Sequence, residues 1–188
     1  MIEKKLQEMR LIVAQLASET EQLNKKLNAL LATLSEDTGT QMLSQDEGVK
    51  KLKQILNEPV SGHFTLAILG SDFESRENLV NQAVETDDFK RIMQSEFADN
   101  YIGAIQKRQE ATTMFKSELL EPQVLELMDI QEFSRKDKLG RLLVDIALER
   151  RIKGKVTILS GNQYAKYLIE NAALYELIDG ATTINLTD

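Results

Sequence analysis

The stretch "LAILGSDFESREN" at residues 66–78 decides the fold. An apolar run of strand type ends at Gly70, a short polar loop follows, and "ENLVNQAV", which starts at Glu77, has the spacing of a helix. A strand, a glycine-led loop and a helix are the layout of a phosphate-binding loop with the signature G-x-x-x-x-G-K-[ST]. Counting from Gly70, the last three signature positions hold Ser75, Arg76 and Glu77. The stretch therefore predicts a nucleotide-binding fold whose phosphate site has different residues.

The composition fits one α/β domain with an accessory element. The chain has 188 residues, 42% of them hydrophobic, which is enough for a substantial core. A net charge of −7 argues against a broad cationic surface, so direct DNA binding is not expected. The absence of cysteine excludes disulfides, thiolate metal sites and cysteine nucleophiles. Without a signal peptide or an apolar run of about 18 residues, we expect no membrane contact and a cytoplasmic protein.

The N-terminal segment carries a continuous heptad pattern. Its apolar or near-apolar residues alternate in spacing between four and three, at Ile2, Leu6, Met9, Val13, Leu16, Thr20, Leu23, Leu27, Leu30 and Leu34. This pattern predicts a coiled-coil helix over residues 1–34 that forms a homodimer or binds a partner helix. The alternative is an amphipathic helix packed on its own domain. The polar, aperiodic segment at 35–45 predicts a linker.

The remaining residues, 46–188, alternate between strand and helix patterns. The segment "SQDEGVKKLKQILNEP" (44–59) predicts a helix that ends before Pro59. The predicted strands lie at residues 64–69, 89–93, 123–128, 155–160 and 182–187, and long helical segments lie at 95–118 and 137–151. Alternation of this kind predicts a parallel five-stranded sheet covered by helices on both faces, a three-layer α/β core.

Three blocks in this core follow one another in a fixed order. They are "SEFADNYIGAI" (95–105), "VLELMDIQEF" (124–133) and "KVTILSGNQYAKYL" (155–168). In order and spacing they resemble the ATPase core of the DnaA replication initiator family, over about residues 60–188. The resemblance implies an AAA+-like, P-loop NTPase-like fold. The first loop alone is also similar to that of dynamin-like GTPases, although the similarity fades after residue 84 and no N-K-x-D motif follows it.

The phosphate loop departs from the family pattern at its most important positions. In a working loop a lysine reaches the phosphates and a Ser/Thr hydroxyl holds Mg²⁺, but here these positions are Arg76 and Glu77. A carboxylate in the first turn of a helix suits the helix dipole and repels phosphate. We expect Arg76 to pair with Glu77, Glu74 or Asp72, so that Arg76 and Glu77 fill the phosphate site themselves.

Other family elements are altered as well. The resemblance places Met128 and Asp129 at the two acidic Walker B positions, and a thioether is a poor ligand for Mg²⁺. It places Asn162 at the first sensor and an arginine finger in residues 170–177, where the sequence has no arginine. The sequence ends with the core, so neither a helical lid nor a helix-turn-helix is expected.

These departures predict a protein without catalytic residues, metal or cofactor. The resemblance implies a DnaA-like pseudo-ATPase that serves as an interaction module or regulator and engages an AAA+ replication initiator or helicase loader. The alternative is an active ATPase or GTPase with an atypical loop, in which Arg76 holds phosphate and Asp129 activates water.

Isolated polar residues add little chemistry. His63 is the sole histidine, without a triad partner, and is not expected to be catalytic. Glu126 falls inside a predicted strand: it is either buried, with a raised pKa or a cationic partner, or it faces water from a twisted or peripheral strand, which is the simpler interpretation.

Two charged clusters have simple structural interpretations. A basic cluster at the end of a predicted helix suits a solvated helix terminus and consists of Arg150, Arg151, Lys153 and Lys155. An acidic cluster between a helix and a strand is predicted to be a loop rather than a metal site and consists of Glu85, Asp87 and Asp88.

Overall fold

A computed structural model describes Thr20 and residues 42–57, 64–70, 72–107, 109–135 and 137–187. The chain divides into two compact units, residues 1–41 and residues 42–188. In the first unit only Thr20 is described, and it is helical and exposed. The predicted coiled coil at 1–34 therefore lies outside the described residues and stays a prediction.

The second unit is a parallel sheet with helices. The described strands are β1 (Met42–Leu43), β2 (Thr65–Leu69), β3 (Phe89–Met93), β4 (Val124–Met128), β5 (Val156–Gly161) and β6 (Thr182–Leu186). The described α-helices are α1 (Gln45–Asn57), α2 (Phe73–Ala83), α3 (Gln94–Lys107), α4 (Gln109–Leu120), α5 (Asp137–Ile152), α6 (Ala165–Leu168) and α7 (Ala172–Asp179), and a 3-10 helix covers Ile130–Arg135. The strand order is β1-β6-β2-β5-β4-β3, and all of these pairings are parallel. Among these helices, none combines the length and apolar character that a membrane span requires.

The two faces of the sheet carry separate apolar cores. Side chains alternate along a strand, so Leu125 and Leu127 of β4 belong to one core, while Val124 belongs to the other. Helices α3, α4, α5 and α7 contribute to the first core, and helices α1 and α2 contribute to the second. The sheet is thus covered on both faces, which confirms the predicted three-layer α/β architecture.

The sheet has a sixth strand, in a segment where the sequence predicted a linker. Strand β1 runs parallel to β6, and the Thr187 N–H donates to the Leu43 carbonyl at 2.9 Å. Leu43 is buried in the same apolar core as Leu186, and α1 begins two residues later. The linker prediction was therefore wrong for residues 42–45, because a two-residue strand leaves no periodic pattern. Residues 35–41 lie outside the described part.

The helical segment predicted at 95–118 is two helices rather than one. The rings of Phe97 in α3 and Phe115 in α4 meet edge to face with their centroids 5.4 Å apart. In one continuous helix these residues would lie about 27 Å apart along the axis. The continuity of the predicted helix was therefore wrong, since the apolar period within each helix carries no information about a reversal between them.

Candidate functional site

The predicted phosphate-loop, Walker B and sensor positions come together at the carboxyl edge of the sheet. Gly70 follows β2, Asp129 follows β4 and Asn162 follows β5, and these strands are neighbours in the order β2-β5-β4. The helix after β2 packs on one face of the sheet, and α7, the longer helix after β5, contributes to the core of the other face. Open parallel α/β sheets bind ligands in the crevice where connections diverge in this way. We call the space at the carboxyl ends of β2, β5 and β4 the crevice.

The loop that leads into the crevice is shorter than a phosphate-binding loop. Strand β2 ends at Leu69, and α2 begins at Phe73 with Asp72 as its N-cap. The Ser75 N–H donates to Asp72 Oδ1 at 2.8 Å, and the Ser75 hydroxyl bonds the same carboxylate. These hydrogen bonds lower the pKa of Asp72. The helix thus starts four residues before Glu77, and a carboxylate of the chain itself binds an N–H at its amino end.

Arg76 lies in the crevice. Its side chain is buried, with the residue only 2% exposed, and Nη1 donates to the Gly70 carbonyl at 2.7 Å. Nη2 lies 3.4 Å from Asp129 Oδ1, which makes an ion pair between α2 and the end of β4. Burial lowers the pKa of Arg76, and the Asp129 carboxylate opposes that shift. The expectation that Arg76 pairs with an acidic residue of its own loop or helix was wrong, because the side chain extends across the strand ends.

Asp129 stands at a sharp turn of the backbone. Its φ of 57° is left-handed, the one such value at a non-glycine residue in the described part of the chain. The carboxylate also accepts from Gln131 Nε2 at 3.4 Å, and Gln131 Oε1 accepts from the Asn162 N–H at 3.3 Å. Hydrogen bonds therefore join Arg76 to Asn162 through two intermediate side chains. Sequence reasoning missed Gln131, although it stands two residues after Asp129 in the quoted block.

Asn162 and Met128 take structural positions. The Asn162 Oδ1 atom accepts from the Tyr164 N–H at 2.9 Å, and the Asn162 carbonyl accepts from the Ala165 N–H at 2.9 Å. Asn162 thus shapes the turn before α6. Met128 is fully buried, in register with Met93 of β3 and Ser160 of β5.

Glu77 turns away from the crevice to a second ion-pair cluster. Arg91 of β3 donates to Glu77 Oε1 at 2.8 Å and, through Nε, to Glu126 Oε2 at 2.6 Å. Glu126 is fully buried, and burial raises its pKa to about 7 although Arg91 opposes this. The expectation that Glu126 faces water was wrong, since β4 lies between two strands and both its faces are covered. The alternative, a buried carboxylate with a cationic partner, is confirmed. The prediction that Arg76 and Glu77 together fill the phosphate site was therefore wrong for Glu77, because the two residues bind different partners.

The basic cluster at the end of α5 is not a uniformly solvated terminus. Arg150 is fully buried, and burial lowers its pKa to about 10. Its guanidinium donates to the Thr157 hydroxyl and to the carbonyls of Leu119, Pro122, Gln123 and Val156. Arg151 and Lys153 are exposed. The prediction was wrong for Arg150, which joins the end of α4 to the starts of β4 and β5.

The described residues contain no group of three or more His, Cys, Asp or Glu arranged to hold a metal ion. The acidic cluster at 85–88 is an exposed loop between α2 and β3, as predicted, and Glu85 pairs with Lys53 at 2.6 Å. His63 lies outside the described residues.

Comparison with solved structures identifies the architecture. AMPPCP-bound DnaA from Aquifex aeolicus aligns with 73% of this chain at a TM-score of 0.63 and 18% sequence identity. Domain III of the Thermotoga maritima replication initiation protein DnaA aligns with 73% at a TM-score of 0.62 and 14% identity. The fold is that of the DnaA ATPase core. The DnaC helicase loader has it too, with 78% of this chain aligned at a TM-score of 0.58 and 13% identity.

The share of each solved structure that this chain covers differs among them. This chain spans 44% of the Aquifex aeolicus structure, 60% of the Thermotoga maritima domain and 92% of the DnaC structure. No protein-family model matches the sequence, and no curated protein matches it either. The likeness is thus one of fold, at identities below 20%.

Proposed function

We propose that this chain is a non-catalytic, DnaA-like pseudo-ATPase that acts in the cytoplasm as a protein–protein interaction module or regulator of replication initiation or helicase loading. The observation that carries the proposal is the position of Arg76. A buried cation of the chain lies in the ligand crevice and contacts both Gly70 and Asp129. The replication context is supported by the fold shared with a replication initiator and a helicase loader.

The surroundings of the crevice support the absence of nucleotide chemistry. A phosphate-binding helix terminus needs free N–H groups, and here Asp72 accepts from the Ser75 N–H. The negative charges of Asp72 and Glu74 at the start of α2 would repel a polyphosphate. Mg²⁺ requires hard oxygen ligands, and at the first Walker B position the chain offers the buried thioether of Met128.

The partner we propose is the AAA+ core of a replication initiator or a helicase loader. The predicted coiled coil at 1–34 would oligomerise the protein or bind a helix of that partner. Since the crevice already contains a side chain of the protein, binding to the partner should not depend on nucleotide bound to this chain.

Calorimetric titration with ATP and GTP in the presence of Mg²⁺ tests the absence of nucleotide chemistry. We expect no binding heat for the full chain at nucleotide concentrations that saturate an active initiator, which is the positive control. Micromolar binding that Arg76→Ala abolishes would instead establish the alternative, an active ATPase or GTPase.

A pull-down with purified initiator and purified loader from the same organism tests the partner. We expect one of them to be retained equally in the presence and the absence of ATP. Retention of neither protein by the folded full chain would contradict the proposed partner while leaving the calorimetric result unaffected.

A further inference from the structure

The guanidinium of Arg76 spans the crevice from one side to the other. Strands β2 and β4 are separated by β5, so their ends lie about 10 Å apart. Arg76 contacts a group from each: the Gly70 carbonyl at 2.7 Å after β2, and Asp129 Oδ1 at 3.4 Å after β4. A single side chain from α2 therefore cross-links three elements that meet at the crevice.

The stem of Arg76 fills the space beside Gly70. A methyl group placed on Gly70 would lie 3.5 Å from Arg76 Cγ and 3.1 Å from Leu186 Cβ. The Asp129 carboxylate is 25% exposed, so the acceptor lies at the rim while the cation lies inside. Among the described residues, four buried side-chain atoms have no hydrogen-bond partner: Arg76 Nε, Gln94 Nε2, Glu126 Oε1 and Ser160 Oγ. The guanidinium of Arg76 is thus enclosed, although its Nε–H group has no hydrogen-bond acceptor in the protein.

The amino-terminal half of α2 is held on a second side as well. The next residue, Glu77, accepts from Arg91 of β3, which also binds the buried Glu126 of β4. Arg76 and Glu77 are consecutive residues of α2 with opposite charges. Arg76 pairs with Asp129 after β4, and Glu77 pairs with Arg91 of β3. Together they connect α2 to the sheet without a bound molecule.

We propose that Arg76 is a built-in ligand of this fold: its guanidinium occupies the crevice and joins α2, β2 and β4 as a bound small molecule would. It follows that removal of the side chain leaves a site for a small alkylguanidinium cation, with Asp129 and the Gly70 carbonyl as acceptors. This inference concerns the crevice of the proposed function, but it requires no partner and no role in replication.

Chemical rescue of Arg76→Ala in the full chain tests this inference. We expect the substitution to lower the melting temperature by roughly 4–10 °C, as expected when one partner of a buried ion pair is removed. Ethylguanidinium at low millimolar concentration should restore several degrees, because it can donate to both acceptors. The same concentration should leave the wild-type melting temperature unchanged, since the crevice is filled.

Two controls separate a specific site from a general salt effect. Ethylammonium carries the same charge without the planar fork and should restore little of the melting temperature. The double variant Arg76→Ala/Asp129→Asn should lose the rescue by ethylguanidinium. An unchanged melting temperature for Arg76→Ala, equal rescue by both cations, or rescue that survives Asp129→Asn would each overturn the proposal.

If Arg76→Ala does not fold, Asp129→Asn alone provides the test, because it removes the charge and keeps the shape. We then expect faster hydrogen exchange at the amides of α2 that follow its first turn, because first-turn amides have no partner within the helix, and unchanged exchange in α5. Unchanged exchange in α2 would overturn the proposal. Nucleotide titration of the wild-type chain is a separate measurement, so failure of the built-in ligand and failure of the proposed function remain distinguishable.

Discussion

At the residue scale, buried charges are the main departures from the predictions. Arg150 and Glu126 are both fully buried, although each belongs to a residue type that is almost never buried without a partner. Arg150 donates to five acceptors, and Glu126 accepts from Arg91. Charge alone therefore did not indicate exposure. A charged side chain is buried where the fold brings hydrogen-bonding or oppositely charged groups next to it.

The buried carboxylate of Glu126 should make stability depend on pH. Its pKa in the fold, about 7, lies above the ordinary 4.5, so the folded state binds a proton that the unfolded state releases. The proton bound by Glu126 therefore adds to the free energy of unfolding, and this stabilisation is complete below pH 4.5 and is lost as the pH rises through 7. Between pH 5 and pH 8, the free energy of unfolding of the wild type should fall relative to Glu126→Gln by about 2–3 kcal/mol. Urea denaturation of both proteins measures the difference.

Glu118→Gln is the control for this experiment. Glu118 is exposed and lies 3.8 Å from Lys90 at the surface, so its substitution should leave the pH dependence of the wild type intact. If wild type and Glu126→Gln show parallel pH profiles, Glu126 does not titrate in this range.

At the element scale, the connection after β5 depends on a close approach at Gly161. A methyl group at this position would lie 2.8 Å from Ala165 Cβ and 2.7 Å from Ile130 Cγ1. Gly161→Ala should therefore push α6 and the 3-10 helix away from the strand and lower the free energy of unfolding by about 1–3 kcal/mol. Urea denaturation measures this loss.

Gly103→Ala should have the opposite effect on stability and serves as the control. Nothing lies within 4 Å of a methyl group at Gly103, which is inside α3, so alanine should raise stability by about 0.5–1 kcal/mol through helix propensity. Equal effects of the two substitutions would contradict the close packing at Gly161.

The elements themselves were largely predictable, because their patterns are local. β3 has the predicted bounds, Phe89–Met93, and β2, β4, β5 and β6 differ from their predicted bounds by one residue at one or both ends. The predicted start of α2, Glu77, is four residues too late. Asp72 caps the helix, whereas the phosphate-loop signature placed residues 70–76 in a loop. Strand β1 and the separation of α3 from α4 were missed because both depend on pairing with distant residues.

At the scale of the whole molecule, the predicted coiled coil and β1 can be separated by truncation. The full chain should be an oligomer, whereas a chain that starts at Met42 should be a folded monomer, since the α/β unit begins there. A chain that starts at Gln45 lacks β1 and the buried Leu43, and it should be less stable than the chain from Met42 by about 2 kcal/mol.

Light scattering and urea denaturation measure these two quantities. Equal oligomeric states of the full chain and the chain from Met42 would contradict the coiled-coil prediction. Equal stability of the two shortened chains would show that β1 contributes nothing to the sheet.

The sequence by itself determined five of the six described strands and the three layers, and the resemblance of its motifs indicated the strand ends at which the crevice lies. Apolar periodicity carries the information on the strands and layers, since it reports which face of each element is covered. The tertiary structure alone decided which charged side chains meet. Arg76 and Asp129 are 53 residues apart, and Arg91 and Glu126 are 35 residues apart. Their contacts depend on a strand order that places β5 beside β2 and β4 beside β3, and local sequence patterns carry no record of that order.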